Sequence, residues 1–255
     1  MHDKGGSDFL ALNNVTKQFG GLRAVEGVSF CLGAKSLTAI IGPNGAGKTT
    51  LFNLIAGAMA PTGGKIEFIG RGVRNSCGAA RRGIARTFQN VRLFHQMTVL
   101  ENVLVGMGDM GFLKSSLRLP PFVAADRIRM KRAYYLLEEV GLAHLAHQPA
   151  RDIPFGQQRL LEIARSLALE PKLLLLDEPA AGLNRTETTA LSGLIRRIHQ
   201  KGISVLLVEH DMHLVMNLVE RVIVLDSGKL IADGTPAEVR ADPRVCEAYL
   251  GAPQC

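Results

Sequence analysis

The chain has 255 residues, 47% of them apolar, which is enough to build one large domain or two small lobes around a real core. Its longest apolar runs are bounded by charged residues and are much shorter than the ~20 residues that cross a bilayer, so we expect no membrane-spanning helix. The formal net charge of +7 suits an anionic partner, a class that includes nucleotides, nucleic acids and anionic membrane surfaces.

The N-terminus and the cysteines argue against a secreted, a zinc-binding or a disulfide-bonded protein. Residues 1–8 have no apolar stretch of the kind that a secretion signal needs, so we expect a flexible tail there and a cytosolic protein. The four cysteines lie far apart and show no C-x-x-C spacing, which argues against a zinc site and against a disulfide framework. These cysteines are Cys31, Cys77, Cys246 and Cys255.

The first elements along the chain are strands. The segments 9–19 and 25–32 are rich in β-branched and large apolar residues and are separated by Gly20-Gly21, a pattern that predicts an antiparallel hairpin. Further on, a turn at 61–64 precedes an alternating segment at 65–69, which predicts another strand.

A phosphate-binding loop lies between these strands. An apolar run at 37–41 predicts a buried parallel strand, 50–56 predicts a helix that ends at Gly57, and the segment between them matches G-x-x-x-x-G-K-[ST]. In this motif backbone N–H groups and the helix N-terminus bind phosphate oxygens. Lys48 is expected to supply a mobile cation and the Thr49 hydroxyl a ligand for Mg²⁺, so the sequence predicts a nucleotide triphosphate site. The predicted contacts are Gly42, Pro43, Asn44, Gly45, Ala46, Gly47, Lys48, Thr49 and Thr50.

The pattern changes over residues 91–169, where helical periodicity replaces the strand signals. We expect helices over 124–140 and 157–168, and a break in the chain at Pro120-Pro121. The segment is therefore predicted to be a helical insertion, after which the nucleotide-binding lobe continues from about Lys172.

Strands and helices alternate again towards the C-terminus. Apolar runs at 173–177, 204–209 and 221–225 predict strands of a parallel sheet that are separated by helices. Two of the helix starts have the sequence of a capping box, at 184–187 and at 235–238.

Two adjacent carboxylates, Asp177 and Glu178, end the apolar strand at 173–177. At the carboxyl end of a parallel strand, Asp177 is placed to hold Mg²⁺ through a water molecule. Glu178 is placed to polarise the water that attacks the γ-phosphate. The sequence therefore predicts hydrolysis of the bound nucleotide.

With these motifs in this order, the chain resembles the ATP-binding subunits of ABC transporters over residues 9–251. The resemblance implies ATP and Mg²⁺ as cofactors. Gln89 resembles the Q-loop glutamine that ligates Mg²⁺ and senses the membrane domain, His210 resembles the switch histidine that contacts the γ-phosphate, and Phe19 resembles the aromatic residue that stacks on adenine. The catalytic residues so implied are Lys48, Glu178 and His210, and the metal ligands are Thr49, Gln89 and Asp177.

Residues 153–159 take the place of the family's LSGGQ signature. Pro154 stands at the serine position, so this residue offers neither a hydroxyl nor a backbone N–H to a γ-phosphate. Phosphate contact is expected instead from Gly156, Gln157 and the helix N-terminus. The family's SALD segment ends here in Asn184 rather than in an aspartate.

The resemblance implies an α/β fold of the P-loop NTPase class. This fold has an antiparallel β subdomain, a mainly parallel nucleotide-binding sheet and a helical signature subdomain. The expected boundaries are 1–8 and 252–255 for two tails, 9–90 and 170–251 for the nucleotide-binding lobe, and 91–169 for the helical subdomain of a single domain over 9–251.

The resemblance also implies partners. Family members hold two ATP molecules between two subunits, so we expect a dimer with a second copy of the chain or with a paralogue. We further expect two separate permease chains, an indirectly engaged substrate-binding protein, no nucleic acid partner, and a cytoplasmic location at the inner face of the cell membrane. The apolar residues Val91, Leu93, Phe94 and Met97 fit either a docking surface for a permease helix or the core of the insertion.

Several segments resemble the ATPases of branched-chain amino-acid importers in particular: 86–102, 154–159, 177–184 and 248–251. The ATPases of urea and short-chain amide importers and the lipopolysaccharide-export ATPase share much of this sequence, so these functions are alternatives. A soluble ABC ATPase acting on DNA or ribosomes would be expected to carry a long coiled-coil insertion or two nucleotide domains, and the sequence has neither. A P-loop kinase would leave the signature segment and His210 unexplained.

Overall fold

The computed structural model describes residues 9–87, 92–108 and 120–250. The strands of this part of the chain are β1 (Leu10–Phe19), β2 (Leu22–Leu32), β3 (Leu37–Ile41), β4 (Gly63–Phe68), β5 (Arg71–Gly72), β6 (Ile84–Arg86), β7 (Leu173–Asp177), β8 (Ser204–Val208), β9 (Arg221–Asp226) and β10 (Lys229–Gly234). Its helices are α1 (Lys48–Ile55), α2 (Ser76–Arg81), α3 (Val99–Gly106), α4 (Pro120–Glu139), α5 (Phe155–Leu167), α6 (Arg185–Gln200), α7 (Met212–Leu218), α8 (Pro236–Ala241) and α9 (Pro243–Leu250).

Four strands form an antiparallel sheet in the order β2-β1-β4-β5. The predicted hairpin is present, with Leu10 opposite Leu32 and Phe19 opposite Leu22. Strand β4 pairs with the other edge of β1 and extends the sheet. The turn of the hairpin thus leaves Phe19 at one end of the sheet, next to the loop that follows β3.

The other six strands form the predicted, mainly parallel sheet, in the order β10-β9-β3-β8-β7-β6. Strands β9, β3, β8, β7 and β6 pair in parallel, and β10 pairs antiparallel to β9 at one edge. Every residue of β3, β7 and β8 is buried, as expected for parallel strands that are covered on both faces. Because these strands are parallel, the loops that follow them meet at one edge of the sheet.

Alternating side chains of the parallel sheet enter two different cores. Leu174 and Leu176 belong to a core shared with the helical part of the chain. Leu173 and Leu175, on the opposite face, belong to a second core shared with the antiparallel sheet and α1. Successive side chains of a strand point to opposite faces of the sheet, and both faces of β7 are packed against a core. Its leucines must therefore form an unbroken apolar run rather than alternate with polar residues.

The structure corrects the expectation for Pro120-Pro121. These residues begin α4 rather than break the chain, and the helix runs to Glu139. Proline is tolerated in the first turn of a helix, because the N–H groups there have no acceptor within the helix. Strands β5, β6 and β10 were not predicted, and two of them have at most three residues.

The two predicted capping boxes are present. Asn184 caps α6 with Glu187, and Thr235 caps α8 with Glu238. Within the described residues, no helix combines the length and the apolar character needed to cross a bilayer.

Candidate active site

A cleft of about 730 Å³ lies where the antiparallel hairpin meets the loops at the carboxyl edge of the parallel sheet. It is lined by residues of β1 and β2, of the loop after β3, of α1 and of the segments after β7, β8 and β9. The lining residues are Phe19, Leu22, Arg23, Ala24, Asn44, Gly45, Ala46, Gly47, Lys48, Thr49, Thr50, Glu178, His210 and Ser227.

The loop before α1 is held by close backbone contacts that only glycine allows. A Cβ on Gly42, where φ is 152°, would lie 2.0 Å from the carbonyl oxygen of Leu225. A Cβ on Gly47, where φ is 96°, would lie 2.2 Å from the carbonyl oxygen of Ala24. Two of the motif's glycines are therefore required because the loop is pressed against β9 and β2.

Lys48 is the first residue of α1, and its side chain folds back over the loop. Its Nζ donates to the carbonyl oxygen of Gly42 at 2.7 Å and to that of Pro43 at 2.8 Å. Burial lowers the pKa of this ammonium group, while the charges of Glu178 and Asp177 oppose that shift. The cation is thus fixed at the mouth of the loop, where a phosphate group would meet it.

Asp177 is buried beneath the loop and paired with a residue that the sequence analysis missed. Its Oδ2 accepts a hydrogen bond from Arg86 Nη2 at 2.7 Å, and the two side chains are 2% and 10% exposed. Arg86 also donates to Asn53 on α1, and its guanidinium lies 5.9 Å from the ring centroid of Phe52. Asp177 Oδ1 is buried and has no hydrogen-bond partner among the described residues. This oxygen fits a role as acceptor from a metal-bound water.

Glu178 and His210 meet at the edge of the cleft, although 31 residues separate them in the sequence. His210 Nε2 lies 2.7 Å from Glu178 Oε1. Glu178 has a φ of 46°, in the left-handed region that residues other than glycine seldom occupy. Its backbone N–H donates to the carbonyl oxygen of Val208 at 2.9 Å, which ties the turn after β7 to the end of β8. The predicted base and the predicted switch histidine are therefore one hydrogen-bonded pair.

Glu209 is a second carboxylate at this edge that the sequence analysis missed. Its side chain is 3% exposed, and it accepts hydrogen bonds from the backbone N–H of Ala180 at 2.8 Å and of His210 at 3.1 Å. Burial raises the pKa of this carboxyl, and hydrogen bonds from Ala180, His210 and Asp211 oppose the shift. A single residue thus bridges the segments that carry Glu178 and His210.

The signature segment is not part of this cleft. Pro154 is the residue that precedes α5, and its side chain makes no capping hydrogen bond. Gly156 and Gln157 lie in the first turn of α5, where backbone N–H groups have no acceptor within the helix. Among the described residues that line the cleft, none comes from this segment. Within one chain, the structure does not bring the signature to Lys48.

The remaining predicted residues fall into three groups. Phe19 lines the cleft with its ring 47% exposed, and the ammonium of Lys17 lies 5.2 Å from the ring centroid. Gln89 lies outside the described residues, as does Val91. Of the apolar residues proposed for docking, Leu93 is buried in the core, whereas Phe94 is 47% and Met97 37% exposed.

Comparisons with known proteins identify the family of this chain. The ABC transporter family profile matches residues 25–181, and a profile described as branched-chain amino acid ATP-binding cassette transporter matches residues 229–253. The chain is 45% identical over 248 residues to the high-affinity branched-chain amino acid transport ATP-binding protein BraF of Pseudomonas aeruginosa. That alignment covers 95% of this chain and 97% of BraF.

Solved structures are similar over nearly the whole chain. A nucleotide-free ATP-binding cassette from an ABC transporter superposes with a TM-score of 0.83 at 32% identity, covering 96% of this chain and 100% of that one. The dimeric structure of a bacterial ABC transporter cassette superposes with a TM-score of 0.76 at 26% identity, covering 89% and 98%. The chain therefore belongs to the ABC transporter family, as one of its ATP-binding, ATP-hydrolysing subunits.

Proposed function

We propose that this chain is the ATP-hydrolysing subunit of an importer of branched-chain amino acids and works as one of two cassettes beneath separate permease chains. The observation that carries the catalytic part of this proposal is the Glu178–His210 pair at the mouth of the loop that holds Lys48. The choice of solute rests on the likeness to BraF and on the matched C-terminal segment 229–253.

In this proposal ATP lies along the cleft. Its adenine stacks on Phe19, whose ring is exposed at the end of β1. The phosphates are held by the backbone N–H groups of the loop 42–49, by the N-terminus of α1 and by Lys48, with Thr50 contributing at the start of the helix. Because Lys48 is already anchored by two carbonyl oxygens, it contributes a positioned charge rather than a mobile one.

The residues around Asp177 fit a divalent cation. The Thr49 hydroxyl would be a direct ligand, and Asp177 would act through its unpartnered Oδ1 and a water. Gln89, which lies outside the described residues, would be a further ligand by its resemblance to the Q-loop glutamine. A bound Mg²⁺ would supply positive charge that stabilises the charge developing on the phosphate oxygens. Arg86 fixes the orientation of Asp177 from the opposite side, which leaves Oδ1 as the available oxygen.

Hydrolysis then depends on Glu178. Its carboxylate accepts a proton from, or orients, the water that attacks the γ-phosphate, a role that contributes roughly 10²–10⁴ in rate. His210 holds this carboxylate through the 2.7 Å hydrogen bond and is close enough to the cleft to contact the γ-phosphate. Replacing both Glu178 and His210 should therefore lower the rate of ATP hydrolysis by much less than the product of the two single effects.

A second subunit completes the site in this proposal. Within one chain, the signature segment lies outside the cleft, so its phosphate contacts must be made to a nucleotide on another chain. Pro154 has no N–H to offer, and Gly156, Gln157 and the N-terminus of α5 remain as the donors. The dimeric cassette among the similar structures supports this arrangement.

The domain and membrane assignments are also proposals. We infer one domain over 9–251, in which 91–169 is the helical subdomain. Its exposed residues Phe94 and Met97 would face a permease, which would hold the chain at the inner face of the membrane.

The test is transport by the whole complex. The chain is expressed with the two permeases and the substrate-binding protein that are proposed as its partners, and ATP-driven uptake of radiolabelled leucine and of urea is measured in membrane vesicles. We expect leucine uptake that an E178Q variant abolishes. Urea uptake without leucine uptake would overturn the choice of solute, and unchanged uptake by E178Q would overturn the catalytic assignment.

A further inference from the structure

The carboxylate of Glu209 lies at the point where the two catalytic segments meet. Glu209 follows the last residue of β8 and is 3% exposed. Burying a carboxylate is costly unless it is hydrogen-bonded or paired. Within the described part of the chain, its hydrogen bonds come from backbone N–H groups rather than from a cation. Glu209 therefore holds the backbone of neighbouring segments rather than neutralising a cation.

The two oxygens of Glu209 serve different segments. Oε1 accepts from the N–H of Ala180, in the turn after β7, at 2.8 Å. Oε2 accepts from the N–H of His210, in the loop after β8, at 3.1 Å. Glu178 and His210 lie in these same two segments and meet at 2.7 Å. The separation of the reactive side chains is thus set by backbone that Glu209 holds at both ends.

The turn that carries Glu178 needs such support. Its φ of 46° is unfavourable for a residue with a side chain and persists only where surrounding contacts enforce it. Those contacts include the bond from Glu178 N–H to the Val208 carbonyl and the bond from Ala181 N–H to the Glu178 carbonyl, at 2.9 and 3.1 Å. The bond from Ala180 N–H to Glu209 Oε1 joins this turn to the segment after β8 through a side chain, in addition to the Glu178–His210 pair.

We propose that Glu209 is a positioning residue for hydrolysis, which holds the backbone of Glu178 and of His210 in register so that the base and the histidine act together. The inference rests on the proposed roles of those two residues. It assigns to Glu209 no contact with the nucleotide or with the attacking water.

The test uses E209Q in the full-length chain. The glutamine keeps the size of the side chain, but its NH₂ group cannot accept a backbone N–H, so the hydrogen bonding at one of the two oxygen positions is lost. We expect kcat for ATP hydrolysis to fall at least tenfold, which is about 1.4 kcal/mol in the barrier. KM and the affinity for a fluorescent ATP analogue should stay within twofold. E238Q is the matched control, because Glu238 also accepts a backbone N–H, that of Thr235, outside the cleft; its kcat should stay within twofold.

A second background separates positioning from general stability. In an H210A chain the pair is already broken, so adding E209Q should lower kcat by less than threefold. An equal tenfold loss in both backgrounds, or an unchanged kcat for E209Q alone, would overturn the proposal. If H210A and E178Q themselves kept normal turnover, the assignment of the base and histidine would be wrong instead.

The wild-type chain provides a test that does not depend on the folding of any variant. The Ala180 amide, held by a buried carboxylate, should exchange with deuterium as slowly as the amides of β7. Exchange at the rate of an open loop would overturn the proposal.

Discussion

Replacing Arg86 with methionine should destabilise the fold through Asp177. The change removes a guanidinium that is 10% exposed and leaves the carboxylate, 2% exposed, without its ion-pair partner. Breaking one side of a buried ion pair typically costs about 3 to 5 kcal/mol, because the remaining charge stays buried. The lost contacts to Asn53 and to the ring of Phe52 act in the same direction. We therefore expect R86M to lower the free energy of unfolding by about 3 kcal/mol or more.

Urea unfolding of the full chain, followed by circular dichroism, measures this effect. R86K is the matched control, since lysine keeps the charge but not the fork that reaches two acceptors, and we expect it to cost about 1 to 2 kcal/mol. In a double-mutant cycle, R86M combined with D177N should cost at least about 1 kcal/mol less than the sum of the two single changes. A cost below about 1 kcal/mol for R86M, or strict additivity with D177N, would show that the Arg86–Asp177 pair does not stabilise the fold.

Three further predictions concern binding and coupling. G47A should abolish binding of a fluorescent ATP analogue, because its Cβ would meet the Ala24 carbonyl oxygen at 2.2 Å. G45A is the control and should weaken binding less, because its Cβ has nothing within 4 Å. Equal losses of affinity in the two variants would contradict the steric explanation. F19A should weaken ATP binding by about 1 to 3 kcal/mol if the ring stacks on adenine, as an equilibrium titration would show; an unchanged Kd would rule the stacking out. F94D should uncouple ATP hydrolysis from solute uptake while leaving nucleotide binding intact, and normal uptake in vesicles would count against a docking role for that exposed ring.

The parts of the site that the sequence predicts are those whose chemistry is local. The loop 42–49 is recognisable because its glycines, Lys48 and Thr49 have fixed spacing between a strand and a helix. Asp177 and Glu178 are recognisable because two carboxylates end a buried apolar run. In both cases a few neighbouring residues specify both the backbone and the reactive groups, and β3, β7 and α1 lie close to where they were predicted.

Arg86 and Glu209 could not be found in the same way. Arg86 pairs with a residue 91 positions away, and Glu209 bonds to Ala180, 29 positions away. Neither contact leaves a periodic pattern, since each depends on which strands become neighbours in the sheet. The sequence did offer one signal, because Arg86 and Glu209 are charged residues that adjoin apolar strands. A charged side chain at such a position is seldom buried without a partner, which is a reason to look for one.

The short strands were missed for a related reason. Strand β6 has three residues, too few for an alternation to be seen, and it is defined by its pairing with β7. The expectation for Pro120-Pro121 was wrong because proline ends a helix from within but is compatible with a helix start. The outcome depends on whether a proline lies in the first turn or in the interior of a helix, and the sequence does not show where the helix begins.

In the proposed mechanism, ATP is held between two cassettes and hydrolysed with Glu178 as the base. The most direct measurement is the association state of full-length E178Q with ATP and Mg²⁺, by light scattering after size-exclusion chromatography, with the retained nucleotide quantified. We predict a stable dimer that retains ATP, because the two chains close on the nucleotide but hydrolysis stalls. A monomer that turns over ATP at a near wild-type rate would show that Glu178 is not the base and that ATP does not join two cassettes.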